Sequence, residues 1–512
     1  MIPFSVTPVL RAYAQRRRTA LARQDPVAAQ EQELRKLVMR ASNTRFGRDH
    51  GFATLRNVAD YQRAVPLRRY EDFWRDYWQA VFPVLVDVTW PGKIPFFAAT
   101  SGTTAGTSKN IPVTHAMNQA NIRGALDLLL HHLVHRPQSR AIDGKNFFLG
   151  GSVALKERAP GVFSGDLSGI ALHETPFWYR GFTFPPAPIA READWEKKIE
   201  DIAHLAPEAD IRILGGTPPW LLHLIGKQQA LAGEPVIADT LYPNLELLVH
   251  GGVGFAPYRA RFERFLNGRA EMREIYPASE GLIASQDEGP EDGLRLMLDN
   301  GLFFEFIPVD ELDNPSPTRH TVADAELGVN YALALSTCAG CWSYIIGDTV
   351  RFVSLRPPRI RITGRISYFL SAFGEHLTGE EIEAAVTAGA ASIDVSLSDF
   401  AVGAKFPSAP GELGKHIYIV ECDRYPLGDT DADAFRAALD RALCCSNDDY
   451  RTERKDYAVI GAPQLLFVPP GTFAEWMKLR GRFGGQNKVP RVVNDTGLFS
   501  HLEEFARART SL

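Results

Sequence analysis

From residue 146 onward the chain repeats one local pattern: an apolar run stops at a glycine pair and a helical period follows, as in NFFLGGS, IRILGGTPPWLLHLIGKQQAL and LELLVHGGVGFAPYRARFERFL. An apolar run of strand length that breaks at glycine and resumes with apolar residues three and four apart reads as strand, turn and helix. The expected fold class is therefore α/β, with mixed sheets flanked by helices. In such sheets ligands lie outside the carboxyl ends of the strands, so Gly215-Gly216 and Gly251-Gly252 fall where a nucleotide would sit. A purely structural turn is the other use of a glycine pair.

At 512 residues the chain exceeds what one ordinary core organises, and two or more domains are expected. A formal net charge of -5 implies no extended basic face, which disfavours nucleic acid as a partner. The basic run RAYAQRRR at 11–18 leads into alternating charges and alanines and suits a solvated helix. With no stretch of eighteen uncharged apolar residues, a membrane span is not expected and a cytoplasmic location is. Five cysteines are too few for a disulfide scaffold. Cys338 and Cys341 form a C-x-x-C, but no second pair follows at zinc spacing.

The first 90 residues read as helices, with the aromatics of YEDFWRDYWQAVFPVL spaced for a packed face. Residues 299–353 read as strands joined by turns, DNG being a hairpin signal. At RPPRIRITGRIS, two prolines, a glycine and four arginines suggest a linker or hinge near 356–366. The expected division is a large domain over 1–363 and a small α+β domain over 364–512. In the latter Thr378 and Glu381 form a capping box, KHIYIVE and QLLFV read as strands, and Phe435, Leu439 and Leu443 share a helix face.

The segment FFAATSGTTAGTSKNIPVTHAM, residues 96–117, holds seven Ser and Thr hydroxyls, two glycines and Lys109. Too polar for core and too rich in glycine for a helix, it has the composition of an anion cradle, although its glycine and lysine spacing is not that of a Walker loop. Alone, it reads equally as a Ser/Thr-rich surface loop. With IYPASEGLIA at 275–284 and YIIGDTVRFV at 344–353 in the same order, the chain resembles the adenylate-forming superfamily, and within it the Gretchen Hagen acyl acid–amido synthetases. NTRFGRDHGF, GEHLTGEEI, NDDYRTER, PPGTFAEWM and GGQNKVPR extend the resemblance over nearly the whole chain.

That resemblance implies a ligase that uses ATP and Mg²⁺ to join a carboxylic acid to AMP, and then passes the acyl group to an amine, in most cases an amino acid. By resemblance Ser101, Gly102, Thr103, Thr104 and Lys109 hold the phosphates, and Glu280 binds Mg²⁺ as a hard oxygen ligand. Asp348 takes the ribose hydroxyls, Gly251, Gly252, Tyr276 and Ser279 frame adenine, and Arg365 joins the nucleotide contacts. The small domain brings His376, where plant sequences often carry Lys, and Lys488, which reads equally as the counterpart of a superfamily lysine that approaches the α-phosphate and as a solvated loop lysine. Ile345 stands where the family has Arg before Gly-Asp. The small domain is expected to rotate about Gly364-Arg365 between two half-reactions. A monomer without nucleic-acid or membrane partners is expected. An acid–thiol ligase using the same adenylate, and a nucleotide-binding homologue without catalysis, stay open as alternatives.

Overall fold

The computed structural model describes residues 7–100, 109–151, 153–175, 179–192, 194–233, 235–312, 314–366, 370, 372, 373, 375, 377–406, 413–456, 460–481 and 488–510. The chain divides into two compact units, one of Met1–Val253 with Leu266–Arg361 and the other of Gly254–Phe265 with Ile362–Leu512. Among the described residues no helix is long and apolar enough to cross a membrane.

The strands of the first unit are β1 (Phe96–Thr100), β2 (Lys109–Val113), β3 (Lys145–Leu149), β4 (Lys156–Ala159), β5 (Val162–Gly165), β6 (Thr183–Phe184), β7 (Ile211–Gly216), β8 (Leu247–Gly251), β9 (Glu271–Ala278), β10 (Gly281–Ser285), β11 (Leu294–Leu296), β12 (Leu302–Pro308), β13 (Asn330–Thr337), β14 (Tyr344–Leu355) and β15 (Pro358–Arg365). The contact division between the units falls within β15. A four-stranded sheet runs β2-β1-β5-β4, and an eleven-stranded one runs β12-β13-β14-β15-β11-β10-β9-β8-β7-β3-β6. Both mix parallel and antiparallel pairs.

The three runs that end in glycine are β3, β7 and β8, adjacent and parallel. Leu149 pairs with Gly216 and Gly216 with His250, so their glycine ends form one row at the carboxyl edge. Leu214, Leu247, Leu248 and Val249 are buried, as befits strands covered on both faces. Helix Pro218–Ala232 fills the crossover from β7 to β8, starting on prolines that need no intrahelical donor and ending at Gly233 with φ +74.

The second unit holds a three-stranded sheet of β16 (Leu397–Lys405), β17 (Lys415–Cys422) and β18 (Gln464–Val468). Alternate residues face opposite ways, as strand geometry requires. Phe400, Val402, Tyr418 and Val420 join a core with Ile382, Val386, Phe435, Leu439 and Leu443, whereas Ala401, Ile417 and Ile419 join one with Phe473, Trp476 and Leu502. The capping box at helix Gly379–Ser392 is formed, the Thr378 side chain accepting from the Glu381 N–H.

One local expectation is corrected. DNG at 299–301 is not a hairpin turn: β11 lies between β15 and β10, while β12 pairs with β13. The residues carry a left-handed glycine, Gly301 at φ +77, and an aspartate held by Arg17 at 2.8 Å; they form a connection between strands that do not pair. The stretch after Arg356, expected as a linker or hinge, is a regular strand in which the division between the two units falls. It forms β15, paired with β11 through Leu294↔Ile360 and Arg295↔Arg359, and two of its arginines meet Asp287 and Glu291.

Candidate functional site

Strand β9 runs parallel to β8 and overshoots it. Ile275 pairs with Gly251, the last residue of β8, so Tyr276, Pro277 and Ala278 project beyond the row of glycine ends. The chain then reverses through Ser279 and Glu280 into β10, Ala278 pairing with Gly281 at φ +146. This tight reversal buries Glu280 on the overhanging hairpin. Gly251 has no room for a side chain, since a Cβ there would stand 2.3 Å from the Ile275 carbonyl oxygen. Gly252 follows with φ +84.

Asp348 owes its position to an irregularity in β14. The register between β13 and β14 moves from Ala332↔Thr349 to Ala334↔Ile345, so residues 346–348 on β14 have only Leu333 opposite them on β13. The surplus bulges out of the ladder and re-aims its side chains. Gly347 adopts φ +94 within the bulge, a conformation costly for any residue with a Cβ. The Tyr276 hydroxyl donates to Asp348 Oδ2 at 2.7 Å, which brings the hairpin and the bulge together.

Lys109 opens β2 opposite Thr100. Its Nζ lies 3.8 Å from Glu71 and 5.4 Å from the centre of the Tyr70 ring, whose hydroxyl accepts the Asn110 N–H at 3.0 Å. Tyr344 links this corner to the hairpin. Burial pushes its hydroxyl well above the usual phenol range, and the charges of Glu280 and Glu71 push the same way. Burial and then Glu280 likewise raise the Cys341 thiol. Cys338 and Cys341 are both buried thiols.

Lys109, Gly251, Gly252, Tyr276, Ser279, Glu280 and Asp348 thus all belong to the first unit. Ser101, Gly102, Thr103, Thr104 and His376 lie outside the described residues. Arg365, the last residue of β15, and the exposed Lys488 belong to the second unit. Tyr70, Glu71 and Tyr344 were missed as site residues by sequence reasoning: their packing pattern hides contacts with Lys109 and Glu280 that arise between distant segments. Among the described residues no cluster of three or more His, Cys, Asp or Glu could hold a metal unaided. A single buried carboxylate fits an ion such as Mg²⁺, which takes much of its shell from phosphate oxygens and water.

The architecture is that of the adenylate-forming enzymes. It matches 2-hydroxyisobutyryl-CoA ligase in the postadenylation state in complex with 2-HIB-AMP at a TM-score of 0.59 and 15% identity, covering 93% of this chain and 91% of that one. It matches AtGH3.15, an acyl acid amido synthetase in complex with 2,4-DB, at a TM-score of 0.77 and 17% identity, covering 94% and 93%. The chain belongs to the GH3 family: the family's N-terminal domain matches residues 15–190, its central domain 295–365 and its C-terminal domain 380–497. It is similar to indole-3-acetic acid-amido synthetase GH3.8 of Oryza sativa subsp. indica, 27% identical over 333 residues, which are 59% of this chain and 54% of that relative. The matched stretch spans about half the length of the curated relatives.

Proposed function

We propose that the chain is an ATP-dependent acyl acid–amido synthetase, which forms an acyl-adenylate and pyrophosphate from a carboxylic acid and then an amide from that adenylate and an amine, in most cases an amino acid. The observation that carries this reading is the Tyr276–Asp348 hydrogen bond at 2.7 Å, which joins a bulged carboxylate to a buried-glutamate hairpin beside the glycine row. An ionised carboxylate in that position can accept both hydroxyls of a ribose, with Tyr276, Ser279, Gly251 and Gly252 around the base.

Two anions meet in the first step, so the site must supply cations and N–H donors where charge grows at the α-phosphate. Lys109 is one such cation, and residues 101–104 are assigned the N–H and hydroxyl donors. Glu280 would hold Mg²⁺, which supplies charge neutralisation between phosphate oxygens when bound. From the C-terminal unit we assign Arg365 to the nucleotide and His376 and Lys488 to the reacting groups, with chain reorientation near Gly364 exchanging what that unit presents. We place the reaction in the cytoplasm and in a monomer.

Pyrophosphate release with ATP, Mg²⁺ and a panel of carboxylic acids, followed by an amine screen on the best acid, tests the reading. Acid-dependent release with an amide product is expected. A thioester formed with coenzyme A and no amide would make the chain an acid–thiol ligase. ATP binding without release for any acid would make it a nucleotide-binding protein.

A further inference from the structure

Lys109, the cation assigned to the phosphates, opens the outer strand of the sheet β2-β1-β5-β4. An outer strand leaves alternate backbone N–H groups without a partner in the ladder, and that of Asn110 donates instead to the Tyr70 hydroxyl at 3.0 Å. The same tyrosine presents its ring to Lys109, whose Nζ lies 5.4 Å from the ring centre. Tyr70 is itself held: it is buried, stacks on Trp74 at 6.0 Å and meets Trp78 edge-on at 5.8 Å. Two residues earlier, Arg68 is strapped to β14, donating its N–H to the Ser343 carbonyl at 3.0 Å and accepting from the Ile345 N–H at 2.9 Å. One side chain thus grips both the backbone beside Lys109 and the ammonium group that the lysine carries.

The next residue along supplies a charge. Glu71 Oε1 is 3.8 Å from the Lys109 Nζ, too far for a hydrogen bond, and the Glu71 side chain is 64% exposed against 27% for that of Lys109. Among the described residues no other carboxylate pairs with Lys109. A loose pair in water adds little stability and is easily parted. Ring and carboxylate therefore act differently. The ring face attracts a cation without neutralising it, whereas the carboxylate fills the place of an anion that can displace it.

In the synthetase reading, on which this inference rests, that anion is the triphosphate of ATP, which carries more charge than one carboxylate and draws the lysine from it. We propose that Tyr70 and Glu71 are positioning residues for Lys109. Tyr70 fixes where the ammonium group waits, and Glu71 is a stand-in anion that Lys109 leaves when the triphosphate binds. The two residues then act on different constants. Glu71 competes with ATP for one cation, so it raises the ATP KM. Tyr70 keeps its hold throughout, and the charge that Lys109 meets grows in the transition state, so Tyr70 acts on kcat.

The test uses the full chain and reads pyrophosphate release with the best acid of the panel, together with ATP affinity by calorimetry. Glu71→Gln should lower both the ATP KM and the ATP dissociation constant about three-fold at low salt, and the gain should vanish near about 0.5 M salt, because the contact it removes is exposed and screened. A structural change would not follow salt in that way. Tyr70→Phe keeps the ring and loses the hydroxyl, and should lower kcat about five-fold with the ATP KM within about two-fold; Tyr70→Leu, which loses both, should lower kcat further. Tyr70→Phe leaves the packing on Trp74 and Trp78 in place, so it decides the matter should Tyr70→Leu not fold. An ATP affinity that Glu71→Gln leaves unchanged or weakens, or a gain that ignores salt, overturns the role of Glu71. A kcat unchanged in the tyrosine variants, or a loss that lies in ATP KM instead, overturns that of Tyr70. ATP binding by the wild-type chain without acid-dependent release would end the synthetase reading and the kcat role of Tyr70 with it, while the calorimetric comparison would still decide Glu71. A chain that binds no ATP would end both.

Discussion

At the scale of single residues, burial of a carboxylate can work against folding. Burial raises the Asp166 carboxyl from 3.8 to about 6, with Lys198 pulling the other way. Because the folded-state value lies above the unfolded one, ionisation costs the folded state. The penalty is absent below the unfolded value, grows as pH rises between the two and is complete above about 6. Asp166→Asn removes it, so the variant should be more stable than the wild type at neutral pH by about 1 kcal/mol after solvent screening, and no more stable near pH 4. Urea midpoints at the two pH values check this; a difference independent of pH would mean that Asp166 carries no such burden. Tyr276→Phe makes a different point. Removing the donor to Asp348 Oδ2 should weaken ATP binding by about 1 kcal/mol, because the carboxylate loses the contact that orients it. Calorimetry that finds wild-type affinity would leave the Tyr276 hydroxyl with a packing role alone.

At the scale of elements, what could be read from the sequence was what neighbours along the chain decide. The three runs ending in glycine announced β3, β7 and β8 because strand, turn and helix each have a local signal, and the capping box at Thr378 and Glu381 is local too. DNG failed because a turn signal specifies backbone conformation, which Gly301 does adopt, but not which strands pair. The arginines of β15 looked like linker charges because their partners, Asp287 and Glu291, lie about seventy residues away. Asp166 was invisible because only the folded chain shows that it starts a helix without capping it. The bulge in β14 was readable as a motif, Tyr-x-x-Gly-Asp, but not as a geometry. Gly347 tests that geometry. A Cβ there would meet no atom within 4 Å, so the obstacle to alanine is the φ of +94 and not crowding. Gly347→Ala should therefore cost about 1 kcal/mol of stability and weaken ATP binding as well, because relieving the strain re-aims Asp348. Lost stability with intact ATP affinity would show that the bulge does not aim the carboxylate.

At the scale of the whole molecule, the sequence divides less simply than its texture suggests, since Gly254–Phe265, encoded between β8 and β9, belongs with the C-terminal unit. Arg491 ties that segment to the rest of the unit. Its guanidinium donates to the Tyr258 hydroxyl at 2.7 Å, pairs with Glu383, and lies 3.8 Å from Asp399. Burial pushes the Asp399 carboxyl up to about 7 even though Arg491 pulls it down. Without the guanidinium, two carboxylates would share a low-dielectric site with no counter-charge, which is the costly way to break a buried pair. Two units with separate cores also need not unfold as one, and calorimetry of the full chain should resolve two transitions. Arg491→Ala should lower one of them, by about 2 to 4 kcal/mol in that unit's stability at neutral pH, and leave the other in place. The loss should shrink as pH falls through the range where Asp399 takes up its proton, because a neutral carboxyl no longer needs the cation. A single transition that moves as a whole, or a loss that ignores pH, would mean that the Arg491 cluster is not what binds Gly254–Phe265 into the C-terminal unit.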